Sequence, residues 1–205
     1  ADVIAEVEAS LQRTDGDRPA RDADEVHDLL RTLGPLTADE LVARSTPPPG
    51  LGRDGPDGAA HPAAVEAWVE ELVADRRAIR VVVADEPRVA AAEDAARLRD
   101  ALGCALPIGL PSAFTEPVDR PLLDLVARYA RTHGPFVTRE VASRYGVDEQ
   151  RAAGALGELV ADGRVVRGEF RPGGVEREWC DDEVLRRIRR RSLAALRREV
   201  EPVEA

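Results

Sequence analysis

The 205-residue chain carries 39 acidic and 29 basic side chains for a net charge of −10, and every basic residue is arginine. So acidic a chain is excluded as a general polyanion binder, and any nucleic-acid surface must be confined to a local basic segment. No run is long or apolar enough to span a membrane and no signal peptide is visible, while Cys104 and Cys180 lack a spaced partner for zinc and read as buried thiols of a reducing cytoplasm.

In chain order, the spacing predicts a helix over 2–13 with Val3, Ile4, Val7 and Leu11 on one face, broken at 14–19. Residues 1–20 are thus an N-terminal helix and linker, and a start without methionine inside such a helix reads as a piece of a longer protein. A first module, 21–102, opens near Asp22 with a stripe of Val26, Leu29, Leu30 and Leu33 that Gly34-Pro35 stops. Thr37 and Glu40 form a capping box for a short second helix, with Leu36, Leu41 and Val42 as its apolar positions. Residues 47–58 are turn-rich and are expected to form a mobile surface loop. A third helix directs Val65, Trp68, Val69, Leu72 and Val73 inward. Residues 79–83 read as a strand, 85–87 as a turn, 88–92 as the returning strand, and 93–102 as a closing helix.

The bridge 103–120 contains Pro107, Pro111 and Pro117, so it is neither helix nor central strand. Its Leu106, Ile108, Leu110 and Phe114 make it an ordered strap across a junction. A second module, 121–205, begins with a helix carrying Leu122, Leu125, Val126 and Tyr129. Helix two follows Thr138 and ends in a left-handed cap at Gly146; Asp148 caps helix three, whose inward face is Ala152, Leu156, Leu159 and Val160. Asp162-Gly163 turns the chain, and strands over 164–170 and 175–180 flank Arg171-Pro-Gly-Gly174, a hairpin signal. Asp181 caps a long last helix with Leu185, Ile188, Ser192 and Leu196 in a narrow stripe.

The two modules are copies. Arg31-Thr-Leu-Gly-Pro-Leu-Thr-Ala-Asp-Glu-Leu-Val-Ala-Arg44 matches Arg131-Thr-His-Gly-Pro-Phe-Val-Thr-Arg-Glu-Val-Ala-Ser-Arg144, and Leu72-Val-Ala-Asp-Arg-Arg-Ala-Ile-Arg80 matches Leu159-Val-Ala-Asp-Gly-Arg-Val-Val-Arg167. The offset falls from 100 to 87, which leaves 13 additional residues in the first copy. Three helices followed by a two-stranded hairpin, twice, is the order of a winged helix. The predicted fold is therefore mainly α with small β-hairpins (α+β), as tandem winged-helix domains.

Helix three of a winged helix ordinarily enters a groove of DNA, yet here it carries Glu66, Glu70 and Glu71 in one copy and Glu149 and Glu158 in the other, which would repel phosphates. The second hairpin differs: Arg164, Arg167, Arg171 and Arg177 sit on or beside it, as candidates for sequence-independent phosphate contact. The alternative is a solvated hairpin whose arginines pair with Glu169, Glu176 and Glu178. Arg186, Arg187, Arg190 and Arg191 of the last helix form either a phosphate-tracking face or an interface with a neighbouring domain, the acidic first half favouring the interface. No catalytic residue, metal site or cofactor is expected. There is no lysine for a phosphate loop, and His27, His61 (in the long loop) and His133 are isolated. The acids Asp181-Asp182-Glu183 after Cys180 read as a helix cap.

The stretch Gly168-Glu-Phe-Arg-Pro-Gly-Gly-Val-Glu-Arg-Glu-Trp-Cys-Asp-Asp-Glu183, continuing through 202, resembles the large helicase-related proteins of bacteria (Lhr), as does Ala127-Arg-Tyr-Ala-Arg-Thr-His-Gly-Pro-Phe136. The resemblance runs through most of the chain and is more specific in the second module. It implies a parent that is an ATP-dependent, 3′-to-5′ DNA helicase of DNA repair, with tandem winged helices in its C-terminal region. The chain lacks every motor motif, so the resemblance implies a non-catalytic piece. Its implied partners are single-stranded or forked DNA, sister domains of the parent chain and a further copy in a homo-oligomer. Some C-terminal regions of the family are associated with uracil removal from DNA, but no acid here matches a glycosylase position. The expected roles are DNA contact or, with no DNA contact, architectural packing.

Overall fold

The computed structural model describes residues 2–46, 60–171 and 176–200. Helix α1 (Val3–Leu11) begins at Asp2, whose carboxylate accepts the Ile4 and Ala5 amides. The first copy then runs α2 (Ala23–Leu33), α3 (Ala38–Ala43), α4 (Ala60–Ala74), β1 (Ala78–Val83) and β2 (Glu86–Ala91), closed by α5 (Ala95–Leu102) after one 3₁₀ turn. The second runs α6 (Pro121–Thr132), α7 (Thr138–Tyr145), α8 (Glu149–Ala161), β3 (Val165–Gly168) and β4 (Glu178–Asp181), followed by α9 (Asp182–Val200). The loop expected at 47–58 and the Pro-Gly-Gly tip of the second hairpin lie outside the described residues.

Local chemistry accounts for the helix limits. Asp22 caps α2 through the Glu25 amide, and Gly34, at φ 87°, ends it. The Thr37–Glu40 box forms reciprocally, with amide-to-side-chain distances of 2.9 and 3.2 Å. In the second copy the N-cap is Val137 rather than Thr138: Glu140 still accepts the Val137 amide at 2.7 Å, but valine has no oxygen to return the bond. Asp148 and Gly146 cap as expected. Asp181 does too, accepting the amides of Glu183 and Val184.

Several expectations are corrected. The first hairpin turns at Ala84 and Asp85, both at positive φ, and Pro87 stands inside β2 opposite Val82. That pair lies one step beyond Val83 and Glu86, where an antiparallel ladder needs no amide, so proline is tolerated. The second hairpin's strands are shorter than 164–170 and 175–180. Val160 and Leu196 are exposed rather than inward, and Ala155 is buried with Ala152, Leu156 and Leu159. Ile108 is fully exposed as well, while Leu106, Leu110 and Phe114 of the strap do pack on the core. His61 lies in α4, not in a loop.

Each copy also has a third strand segment that spacing did not reveal. Leu36 and Val89 exchange amide–carbonyl bonds of 2.9 and 2.8 Å, and Phe136 and Trp179 exchange bonds of 2.9 and 2.7 Å. Thus the residue after each Gly-Pro joins its own hairpin, and Leu36 belongs to this bridge rather than to helix two.

The two copies share a core. The first hairpin directs Ala78, Val89 and Ala91 into its own helices. Its other face, Ile79, Val81, Val83 and Ala90, merges with α5 and the second copy's Leu125, Val126, Leu156 and Trp179. Each large apolar side chain among them stabilises by about 1.5–3 kcal/mol on full burial, which opposes separation of the copies. The outer face of the second hairpin is covered instead by α1 and α9, where Val7 meets Cys180, Val184, Leu185 and Ile188. The start of the chain is therefore docked on the second copy.

Polar contacts fix the junction. Buried Asp94 binds Arg97 and Arg128, with Arg128 Nη2 donating at 2.8 Å. Arg144 spans the copies to Glu40 and to the Pro35 carbonyl, the latter at 2.8 Å. Its counterpart Arg44 instead grips Gln12 at 2.8 and 2.7 Å, and Gln12 donates to the Thr132 carbonyl at 2.7 Å. Among the described residues no helix is long and apolar enough to cross a membrane, and no group of three or more His, Cys, Asp or Glu could hold a metal ion.

Candidate nucleic-acid interface

The four arginines predicted around the second hairpin have different fates. Arg171 is paired with buried Glu178, whose other oxygen accepts the Phe170 and Arg171 amides at 3.0 Å each. It closes the hairpin, so the pairing alternative holds at that position. Arg167 lies over the Trp179 ring, 4.8 Å from its centroid, and has no carboxylate partner among the described residues. Arg164 and Arg177 are exposed and likewise have no ion pair among the described residues. Glu176 pairs with Arg139 at 2.6 Å rather than with an arginine of the hairpin.

Arg167 and Arg177 converge. With Val137, Thr138 and Arg139 at the start of α7, Glu149 at the start of α8, and Glu176, they line an open recess of about 410 Å³. Three guanidiniums face two carboxylates there, one of the three being tied to Glu176. Arg139 is not among the arginines that charge and placement along the chain single out, because it lies outside both the hairpin and the last helix. The repeat contained the signal: at an offset of 100, Arg139 stands where the first copy has Asp39.

The corresponding recess of the first copy is of another kind. It measures about 730 Å³ and is mainly apolar, with Leu41, Val42, Val65, Val69 and Val82 among its walls. Of its two arginines, Arg80 and Arg88, Arg80 corresponds to Arg167 at the offset of 87 and is held by Glu66 at 2.6 Å and Glu70 at 2.8 Å, both from α4. Those two acids correspond to Ala153 and Gly157 in α8. Arg80 is therefore ion-paired in the first copy, whereas Arg167 has no ion pair among the described residues.

Neither third helix offers a donor-rich face. In α8, Arg151 donates to the Ala101 carbonyl at 3.0 Å and Glu158 lies 3.6 Å from Arg120. The first hairpin is also occupied, since its Ala84 tip abuts Gly146 at the end of α7. In α9, Arg186 pairs with Asp182, Arg187 donates to Ser10 Oγ at 2.8 Å, and Arg190 and Arg191 are exposed. The helix thus docks on α1 by one edge and leaves Arg190 and Arg191 in solvent.

Burial pushes the Cys180 thiol up to about 12, assisted by the Asp181 and Glu178 charges, which removes it as a nucleophile at neutral pH. Burial holds His133 down to about 4; its ring stacks on Tyr129, with centroids 3.7 Å apart. Burial raises the Glu40 carboxyl, but the Arg144 hydrogen bond and charge outweigh that and leave it below its usual value.

Comparison with known proteins places these features in a context. The profile described as "Large helicase-related protein, winged-helix domain" matches residues 1–117. A Mycolicibacterium smegmatis protein named "Lhr helicase/ probable uracil glycosylase" is 44% identical over 201 residues, covering 98% of this chain. An Escherichia coli protein named "Lhr helicase/uracil glycosylase" is 35% identical over 203 residues, covering 99%. The chain spans 12% of the length of each of these relatives.

Proposed function

The chain belongs to the large helicase-related family, as a winged-helix region of it, and from that premise we propose that it is a non-catalytic tandem winged-helix segment that contacts DNA through its second wing. The first winged helix is the architectural partner: its wing is spent on the junction, and its recess is mainly apolar, with Arg80 held by Glu66 and Glu70. The second presents Arg164, Arg167 and Arg177, with Arg139 beside them, to the backbone of single-stranded or forked DNA. Contact of this kind is electrostatic and independent of sequence, as suits a module that guides a strand through a motor protein. The helicase and uracil glycosylase activities in the relatives' names belong on this reading to the rest of the longer protein, acting on DNA in the cytoplasm.

The observation that carries the proposal is the contrast between Arg80, clamped by Glu66 and Glu70, and Arg167, which has Ala153 and Gly157 at the corresponding positions. Its test leaves Arg167 in place. Neither Ala153 nor Gly157 is buried, and a Cβ at Gly157 would meet nothing within 4 Å. Ala153→Glu with Gly157→Glu should therefore fold and clamp Arg167 as the first copy clamps Arg80. Affinity for a labelled single-stranded oligonucleotide should fall several-fold at low salt, and the logarithmic salt slope should shrink by about 1. Unchanged binding would overturn contact through Arg167, and no salt-dependent binding by the parent chain would leave the architectural role as the whole function.

A further inference from the structure

A second cluster of arginines lies away from the wing. Arg13 and Arg18 of the segment between α1 and α2, and Arg187 and Arg191 of α9, surround a hollow of about 400 Å³ completed by Ser10, Asp15 and Asp17. Spacing within α9 places Arg187 and Arg191 one turn apart, but only the docking of α1 on α9 brings the linker arginines to them. None of the four is ion-paired among the described residues, although Arg186 of the same helix is. The hydrogen bond of Arg187 goes to an uncharged acceptor, Ser10 Oγ. Asp15 accepts the Asp17 amide at 3.2 Å. Four positive groups thus face two negative ones, a local excess of cation in a chain whose net charge is −10.

Arg13 follows the C-cap of α1 at φ 56°, in the left-handed region where a helix usually places glycine. The conformation is fixed by the Thr14 amide donating to the Ala9 carbonyl at 2.8 Å. A side chain disfavoured by its own backbone is held at the rim of the hollow. The walls are mainly polar, with no aromatic ring on which a base could stack.

We propose that this hollow is a second phosphate site, taking consecutive phosphates of a nucleic-acid backbone in guanidinium forks and reading no base. It rests on the reading that the chain contacts DNA, but uses no residue of the wing. The same chemistry would accept a free polyphosphate, so the test has two ligand arms. Arg18→Glu and Arg191→Glu are made singly in the 205-residue chain, since both side chains are exposed and neither is ion-paired among the described residues; Arg76→Glu, exposed and distant in sequence, is the charge control. Binding of a labelled single-stranded oligonucleotide and of inorganic tripolyphosphate is titrated against salt, with circular dichroism checking the fold.

Each of the first two variants should weaken oligonucleotide binding several-fold at low salt and reduce its salt slope by about 1, and Arg76→Glu should do neither. Loss of tripolyphosphate binding with oligonucleotide binding intact would overturn the nucleic-acid occupant in favour of a free polyphosphate. No change in either ligand would overturn the site altogether. Arg177→Glu, measured in parallel, reports on the wing alone, so the two sites can fail separately.

Discussion

Replacing Gly146 by alanine tests whether the first hairpin is packed into the second copy. Gly146 ends α7 at φ 64°, and a Cβ there would lie 2.9 Å from Ala84 Cα and 3.3 Å from Ala84 N at the tip of the first hairpin. Both are backbone atoms, so no side-chain rotation relieves the clash. Gly103 is the matched control: it ends α5 at φ 72°, and a Cβ added there would meet nothing within 4 Å. The left-handed penalty alone should cost Gly103→Ala about 1 kcal/mol. Gly146→Ala bears that penalty and a steric term of about 1–3 kcal/mol, for a total of roughly 2–4 kcal/mol. Urea unfolding followed by circular dichroism separates them. With a slope of roughly 2 kcal/mol per molar, the Gly146→Ala midpoint should fall roughly 0.5–1.5 M below that of Gly103→Ala. Equal midpoints would refute the packed position of the wing tip.

The strap offers a contrast within one segment. Ile108→Ser should change stability by no more than about 0.5 kcal/mol because Ile108 is exposed, whereas Phe114→Ser should cost about 1–3 kcal/mol, both read by the same urea unfolding. His133 gives a pH dependence. Burial lowers its folded pKa from 6.5 to about 4, so its neutral form stabilises the fold fully above about 6.5. That contribution is lost as pH falls from about 6.5 towards about 4, by at most about 1.4 kcal/mol per unit. In His133→Gln the stability–pH curve should be flatter over that window than in the parent; equal slopes would remove His133 as the cause.

Much of the fold was legible because its signals are local. Capping at Thr37 and Asp148, the glycine stops at 34 and 146, and the copied Arg-Thr-x-Gly-Pro motif placed most helices. Long-range pairing was not legible. Nothing near Leu36 announces Val89, and nothing near Val7 announces α9. The exposed Ile108 shows the limit of hydrophobicity as a guide when no periodicity supports it. The hairpin arginines were found by charge and placement, but their partners were not. Glu178 captures Arg171 across the hairpin, and Arg139 enters the recess from α7. The contrast between Glu66 and Glu70 and their counterparts Ala153 and Gly157 was present in the repeat, yet it gained meaning only once Arg80 and Arg167 were seen at equivalent places.

The most direct measurement of DNA contact through the second wing is a residue-by-residue footprint. Amide chemical shifts of the isotopically labelled chain would be followed on addition of a short single-stranded oligonucleotide at low salt. Shifts should concentrate at 164–171, 176–177 and 138–139, with any at 13–18 and 187–191 reporting the second site, the recess of α4 and the first hairpin should stay silent, and the signals should return to their free positions as salt is raised. Shifts centred on α4 or on the exposed face of α8, with the second wing unmoved, would contradict it.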